Sequence, residues 1–510
     1  MMSRSGWHSI FLAAILPMMA GVLMPAQSLS NSVLYRPAFH YSPEKNWIND
    51  PTGLVYDGFT YHLFNQYNPQ GDQWGHMSWS HAVSKDLLHW KPMPVALREE
   101  NGIMIFTGSA VLDAKNSSGF GKDGVAPLVA IYTGDSKNLQ TENLAYSTDH
   151  GTTWTKYAGN PVLDLHEKDF RDPQVFWYAP GKYWVMVVSL ATQHKLLIYS
   201  SPDLKSWTKM SEFGPAGIKD VPNWECPNLF PLPVANVPGA TKWVLELGVG
   251  NHGPAGGSAT EYFVGDFDGV RFLNENPAGQ ALWVDYGADF YAMQTFTSAS
   301  SDGRRVGIAW MDNWDYAGKL PTTPFQGQNT IPRTLGLLQT PEGTRLTQRP
   351  VQEVKSLRGA HQQLRNASWE DLRKLLTGRD WSQTLEIEAS FQTEKDSAFG
   401  LILRQGENYG VKAGFDNVKG VLYVDRTAAG ELPIAPTFAR RHEAPMKAEK
   451  GEVKMHILLD RSSVELFGND GLAVLTDLIF PRAQDRGIEI FATGNPPHGI
   501  SFDIWTLKTR

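Results

Sequence analysis

Ser84-Lys85-Asp86 followed by Trp90, Ser147-Thr148-Asp149 followed by Trp154, and Ser201-Pro202-Asp203 followed by Trp207 are versions of one element, with aspartates 63 and 54 residues apart. A weaker fourth version, Gly265-Asp266-Phe267-Asp268-Gly269 followed by Phe272, puts Asp266 a further 63 residues beyond Asp203. Each follows an alternating apolar run and reads as a turn between two strands, with the aspartate capping its own backbone. Self-similarity at such a period is the mark of a repeat architecture.

A second series runs in phase with the first: Asp50-Pro51, Gly108-Ser109, Asp172-Pro173, Glu225-Cys226-Pro227 and Asp289-Phe290. The steps from Asp50 through Ser109, Asp172 and Glu225 to Asp289 are 59, 63, 53 and 64 residues, and each leads into strand-like sequence. Five such repeats predict an all-β chain that begins with a five-bladed β-propeller over residues 34–340, because radial repetition leaves few exposed sheet edges. Proline donates nothing to a sheet ladder, so the prolines of this series are expected at the first residue of each blade's innermost strand. Asp50, Asp172 and Glu225 should then converge on a central channel despite their separation in sequence.

From about residue 341 the character changes, through Pro350 and a charged, helix-like stretch at 369–376. Residues 341–360 read as a linker. Period-two alternation in Leu385, Ile387, Ala389 and Phe391, in Met455, Ile457 and Leu459, and in Ile488 and Ile490 predicts a β-sandwich over 361–510.

Arg4 and His8, an apolar run at 10–24 and the small-residue stretch 25–28 read as a secretory leader, 1–28, cleaved near Ser28. A membrane anchor is the competing reading, but Pro17 and Gly21 interrupt the run and it falls short of the roughly 20 residues a spanning helix needs. The mature chain is therefore expected in the periplasm or medium, without membrane attachment. Its single cysteine, Cys226, rules out an internal disulfide, and the formal net charge of -7 with no Lys/Arg run argues against a nucleic-acid partner. Seventeen tryptophans and seventeen tyrosines suit the apolar faces of sugars as well as a large core.

Three carboxylates around one pocket fit acetal cleavage, which needs an acid for the leaving oxygen and a carboxylate on the opposite face of the sugar. Arg171 should favour the charged form of Asp172, while the apolar surroundings of Glu225 should let it keep its proton. Cys226 reads as a neighbour that tunes Glu225 rather than as a nucleophile, since no histidine is near it in sequence. His76 and His81 are five residues apart, on opposite faces of a strand, and read as packing or hydrogen-bonding groups. No metal and no cofactor is implied.

Trp47-Ile48-Asn49-Asp50-Pro51-Thr52-Gly53, Phe170-Arg171-Asp172-Pro173 and Trp224-Glu225-Cys226-Pro227 resemble, in order and spacing, the signatures of glycoside hydrolase family 32, the family of invertases, inulinases and levanases. The likeness extends through Asn65-Gln66-Tyr67-Asn68-Pro69, Trp74-Gly75-His76, Phe106-Thr107-Gly108-Ser109, 310–314 and 460–467. It implies Asp50 as nucleophile, Glu225 as acid/base, and Asp172 with Arg171 on ring hydroxyls. It further implies Asn49, Gln66 and Ser109 as hydrogen-bonding partners of a terminal fructose, and Trp74, Phe106 and Trp310 as pocket walls, with Trp314 the alternative to Trp310. Thr52 and Thr107 depart from the residues many relatives carry, keeping a hydrogen-bonding group. The implied activity is removal of terminal fructosyl units from a fructan or sucrose, most like a bacterial exo-fructanase. A fructosyltransferase or a non-catalytic fructan-binding protein are the alternatives, and preference among levan, inulin and sucrose, the role of the sandwich and the oligomeric state stay open.

Overall fold

The computed structural model describes residues 34–297 and 302–509. The expected leader, 1–28, lies outside them. Among the described residues no helix is long and apolar enough to cross a membrane.

The chain is all-β, and its first part forms five antiparallel sheets in sequence order. The innermost strands are Asn46–Tyr56, Met104–Leu112, Phe170–Tyr178, Trp224–Pro233 and Tyr291–Thr295. These strands pack against one another in order, and the fifth returns to the first. A short parallel pairing of Asn46 and Trp47 with Phe325 and Gln326 ties the last sheet to the first. The Ser-x-Asp turns connect the third to the fourth strand of their sheets. Asp203 accepts from its own Ser201 hydroxyl and from the Lys205 and Ser206 amides, and Asp86 and Asp149 repeat the arrangement. These are the capping aspartates that their sequence setting predicts.

Every innermost strand carries an extra residue relative to its neighbour at the same place, and the first carries a second between Thr52 and Val55. The register slips between Ile48 and Pro51, Ile105 and Gly108, Arg171 and Gln174, Glu225 and Asn228, and Tyr291 and Gln294. Asp172, Cys226 and Ala292 take left-handed backbone conformations at these bulges, with φ of 68°, 51° and 50°. Pro173 and Pro227 sit inside the bulges, not at the first residue of a strand, because the unpaired bulge residue is where a missing N–H costs no ladder bond.

Residues 343–350, expected in a linker, instead form the outer strand of the fifth sheet, Gly343–Pro350, paired with Arg333–Thr340. Only a short 3-10 turn, Gln352–Leu357, separates it from the next strand, Arg358–Ala367. The helix Trp369–Leu376 follows that strand, capped by Ser368 and Asp371, and buries Leu372 and Leu376 against the second unit. That unit is a sandwich of a six-stranded and a five-stranded antiparallel sheet, with Ile387, Phe391 and Met455 facing Phe399, Leu401 and Val411 in one core.

Buried ion pairs join the two units. His40 bridges Asp460 at 2.7 Å and Glu465 at 2.6 Å, and Arg333 donates to Asp285 at 2.9 Å and to Glu465 at 2.5 Å. Asp289, a member of the in-phase series, points at the sandwich, where it accepts from Arg426 at 2.6 Å and from the Leu478 amide at 2.8 Å. The fifth inner strand starts after it, at Tyr291, so its carboxylate falls on the interface side of the bulge.

Burial alone would depress the His40 pKa, but the hydrogen bonds and charges of Asp460 and Glu465 outweigh it and raise the group to about 9. The folded protein thus holds this proton to higher pH than the unfolded chain does. The stability it confers is complete below about pH 6.5 and is lost as pH rises through about 9. Thermal melts should show Tm falling across that upper window, and His40→Gln should lower Tm at neutral pH and flatten the alkaline decline; a wild-type Tm constant to pH 10 would contradict this, since pH 10 is about one unit beyond the folded value.

Candidate active site

At the end of the ring where the inner strands begin lies a cavity of about 350 Å³. Its floor and walls come from residues at or just before the bulges: Asn49 and Asp50, Phe106, Arg171 and Asp172, Glu225, and Tyr291. Bulges re-aim side chains out of the regular alternation, and here they bring three carboxylates from three sheets into one space. Asp50 and Asp172 are almost fully buried, 6% and 4% exposed, whereas the Glu225 side chain retains 21%. Glu225 therefore stands nearer the mouth.

Four donors converge on Asp50. The Asn49 amide reaches it at 3.1 Å, the Gln66 amide at 3.1 Å, the Thr107 hydroxyl at 2.6 Å and the Cys226 thiol at 3.3 Å. Asn49 is itself fixed by the Trp47 indole N–H at 2.8 Å. Burial pushes the Asp50 carboxyl above its ordinary range, and Glu225 adds to this while Thr107, Asn49 and Cys226 oppose it. A carboxylate held by donors on both oxygens in a dry pocket is oriented for attack on one face of a bound sugar.

The charge pairing differs from the expected one. The Arg171 guanidinium donates to Glu225 at 2.9 and 3.1 Å and lies 3.9 Å from Asp172, because the left-handed turn at Asp172 separates the two neighbouring side chains. Burial raises the Asp172 carboxyl to about 7, Glu225 and Asp50 adding to this and Arg171 only partly opposing it. Its backbone N–H donates to Thr133 at 2.9 Å, and the Thr133 hydroxyl in turn donates to the buried Glu142.

Cys226 sits against Asp50 and Asp172 rather than Glu225; its amide donates to Asp172 at 3.0 Å. Burial and the neighbouring carboxylates raise its thiol well above the usual range, so it is a neutral donor, not a nucleophile.

Gln66, Trp74 and Phe106 line the pocket. Ser109 does not: it is buried below the bulge, where its hydroxyl donates to the Pro173 carbonyl at 3.0 Å and accepts from Val175 N–H at 2.9 Å, locking two inner strands together. Thr107, two residues earlier, makes the contact with Asp50. Trp310 is fully buried, with its ring 4.8 Å from that of Trp314, and Trp314 provides the wall. His76 faces Glu99 at 2.8 Å, and His81 is buried against His62 at 3.0 Å, as befits packing and hydrogen-bonding groups. Among the described residues one cluster has metal-ligand spacing, Glu386, Glu388 and His456 in the sandwich; the Arg358 guanidinium bonds both glutamates there.

Tyr291 escaped the sequence reading altogether. Its phenol donates to the second oxygen of Glu225 at 2.5 Å, so that Glu225 is gripped by Arg171 on one side and Tyr291 on the other. A tyrosine two residues after an acid that turned out to be an interface residue offered no signal.

The fold agrees with the comparisons. The signature described as "Glycosyl hydrolases family 32 N-terminal domain" matches residues 40–350 and "Glycosyl hydrolases family 32 C terminal" matches 353–506, so the chain belongs to glycoside hydrolase family 32. It is 47% identical to a levanase of Bacillus subtilis, over 93% of this chain and 70% of that protein. It is 40% identical to an extracellular exo-inulinase of Aspergillus ficuum, over 93% and 95%. The crystal structure of exo-inulinase from Aspergillus awamori superposes with a TM-score of 0.86 at 38% identity, covering 93% of this chain and 98% of that one.

Tyr291→Phe should fold normally but lose about 10- to 100-fold in kcat, the worth of one hydrogen bond to a charged group. An unchanged kcat, with Tm also unchanged, would remove Tyr291 from the machinery.

Proposed function

We propose that this protein is a retaining exo-hydrolase that releases terminal β-D-fructofuranosyl units from fructans, levan or inulin, and from sucrose. The observation that carries the reading is the position of the donor-held Asp50 on the pocket floor with Glu225 nearer the mouth. The levanase and exo-inulinase relatives supply the substrate class. The cyclic order of the five sheets is that of a five-bladed β-propeller, with one catalytic unit ending at Pro350 and a sandwich unit from Arg358.

In this reading the terminal fructosyl unit occupies the floor and Asp50 attacks its anomeric C2 while Glu225 protonates the departing oxygen. The C2–O bond to the leaving group breaks and a C2–Oδ bond to Asp50 forms. Water then enters, gives its proton to Glu225 and displaces Asp50, restoring the starting configuration. Ring hydroxyls that take Arg171 as partner draw it from Glu225, freeing that oxygen to carry the proton. Asp172 binds ring hydroxyls, and the walls Trp74, Phe106 and Trp314 exclude water from the reaction. The sandwich acts as a buttress, through the buried pairs of His40, Arg333 and Arg426. Export by a leader at 1–28, to the medium or periplasm, fits the extracellular exo-inulinase relatives.

Incubated separately with levan, inulin and sucrose, the protein should liberate fructose alone among fructan products from the first time point, and Asp50→Asn should retain fold and fructose binding without turnover. Early short oligomers would mean endo cleavage, lengthening chains would mean transfer, and binding without product would mean a capture module. Because burial raises Asp50, kcat/KM should fall on acidification at a higher pH than an exposed aspartate would give.

A further inference from the structure

A fourth buried carboxyl, that of Glu142, lies two hydrogen bonds behind Asp172. Glu142 is 0% exposed on the strand Leu139–Ser147, the third of the second sheet, and pairs directly with Thr133 on the strand Leu128–Ser136. Residues opposite each other in an antiparallel pair present their side chains on one face. Among the described residues the Thr133 hydroxyl is the one partner of the Glu142 carboxyl, donating at 3.0 and 3.3 Å to its two oxygens. The same hydroxyl accepts the Asp172 amide N–H at 2.9 Å.

That amide needs a partner from outside its own sheet. Asp172 sits in the bulge, left-handed at φ 68° and without an opposite residue in the register. A Cβ disfavours this conformation, so the bonds around it must hold it in place. A hydroxyl has one proton to give. With Glu142 as its acceptor, Thr133 gives that proton away from Asp172 and keeps a lone pair for the amide. Gln140, two residues before Glu142 and on the same face of its strand, accepts from Arg171 Nη1 at 3.3 Å and donates to Asp135 at 3.0 Å. One strand of the second sheet thus supports both Arg171 and Asp172.

An ionised glutamate with a single hydroxyl donor is expensive to bury. Burial, with the charge of Asp172 adding to it, pushes the Glu142 carboxyl well above its ordinary range. Glu142 is therefore an uncharged acid, which orients Thr133 without setting a further negative charge behind Asp172.

We infer that Glu142 is a positioning residue that acts on the reaction through Thr133, fixing the hydroxyl that holds the Asp172 amide and so keeping the Asp172 carboxylate aimed into the pocket. This rests on the assignment of Asp172 to the ring hydroxyls of a bound fructosyl unit and deepens it.

The test is a double-mutant cycle read as kcat/KM for fructose release from levan, inulin and sucrose, with Tm measured for every variant. Glu142→Leu and Thr133→Val should each lose roughly 3- to 10-fold, the worth of one net hydrogen bond. Glu142→Gln, which keeps an uncharged acceptor, and Thr133→Ser, which keeps the hydroxyl, should stay near the wild type. The double variant Glu142→Leu/Thr133→Val should be no worse than Thr133→Val alone, because both changes break one chain. Where Glu142→Leu does not fold, Thr133→Val and Glu142→Gln carry the decision. A folded Glu142→Leu or Thr133→Val at wild-type kcat/KM, losses that multiply in the double variant, or a Glu142→Gln as poor as Thr133→Val would overturn the role of Glu142 alone. A wild type that releases fructose from none of the three substrates would overturn the fructosidase reading, and this inference with it.

Discussion

One extra residue in each innermost strand is the constraint from which the active site follows. A regular strand alternates its side chains between two faces, and a ring of such strands would bury every second side chain in the packed centre. The bulges break that alternation at the same level in all five sheets and turn Asp50, Asp172 and Glu225 into one cavity. Below that level Ser109 and Asn228 return to cross-strand bonding, with Ser109 on Pro173 and Val175 and Asn228 on Thr295, and hold the bulges in place. The left-handed backbone at Asp172 and Cys226 is strain concentrated at the chemistry, and the hydrogen bond from the Cys226 amide to Asp172 ties the two strained residues together.

The electrostatics follow from the same convergence. Three carboxylates in a small volume repel one another, and burial raises both Asp50 and Asp172. Arg171 offsets part of this, but it lies on Glu225, and the Asp50 carboxylate depends on uncharged donors from Asn49, Gln66, Thr107 and Cys226. Neutral donors suit a nucleophile better than a cation would, because they orient the carboxylate without neutralising it. Among the described residues the sandwich contributes nothing to the cavity lining; it receives the carboxylates and guanidinium groups that the propeller-like ring leaves on its outer side, at Asp285, Asp289 and Arg333.

Much of this was legible in the sequence, because repeat elements are local. The Ser-x-Asp turns are closed by bonds within a few residues, so a turn reading from sequence succeeds. The acids at Asp50, Asp172 and Glu225 stood out through their in-phase spacing and their family signatures. What escaped reading depends on side-chain direction at the bulges. Asp289 shares the spacing of the series yet lies just before its strand, and one strand position decides between pocket and interface. Arg171 adjoins Asp172 in sequence but reaches Glu225 on the next sheet, and Trp314, in the loop after the strand that ends at Trp310, lines the pocket while Trp310 is buried. The end of the first unit was placed too early because the strand Gly343–Pro350 is polar and charged, as an outer strand exposed to solvent can be.

The claim on which this account stands is that Asp50 forms a bond to C2 of the fructosyl unit. Rapid quenching of turnover on an activated aryl fructoside, followed by peptide mass spectrometry, measures this directly. The account predicts a mass increase of one anhydrofructose unit on the peptide that carries Asp50, absent in Asp50→Asn and lost on continued incubation in water. An adduct on Asp172 or Glu225, or a product of inverted configuration with no adduct on any peptide, would contradict it.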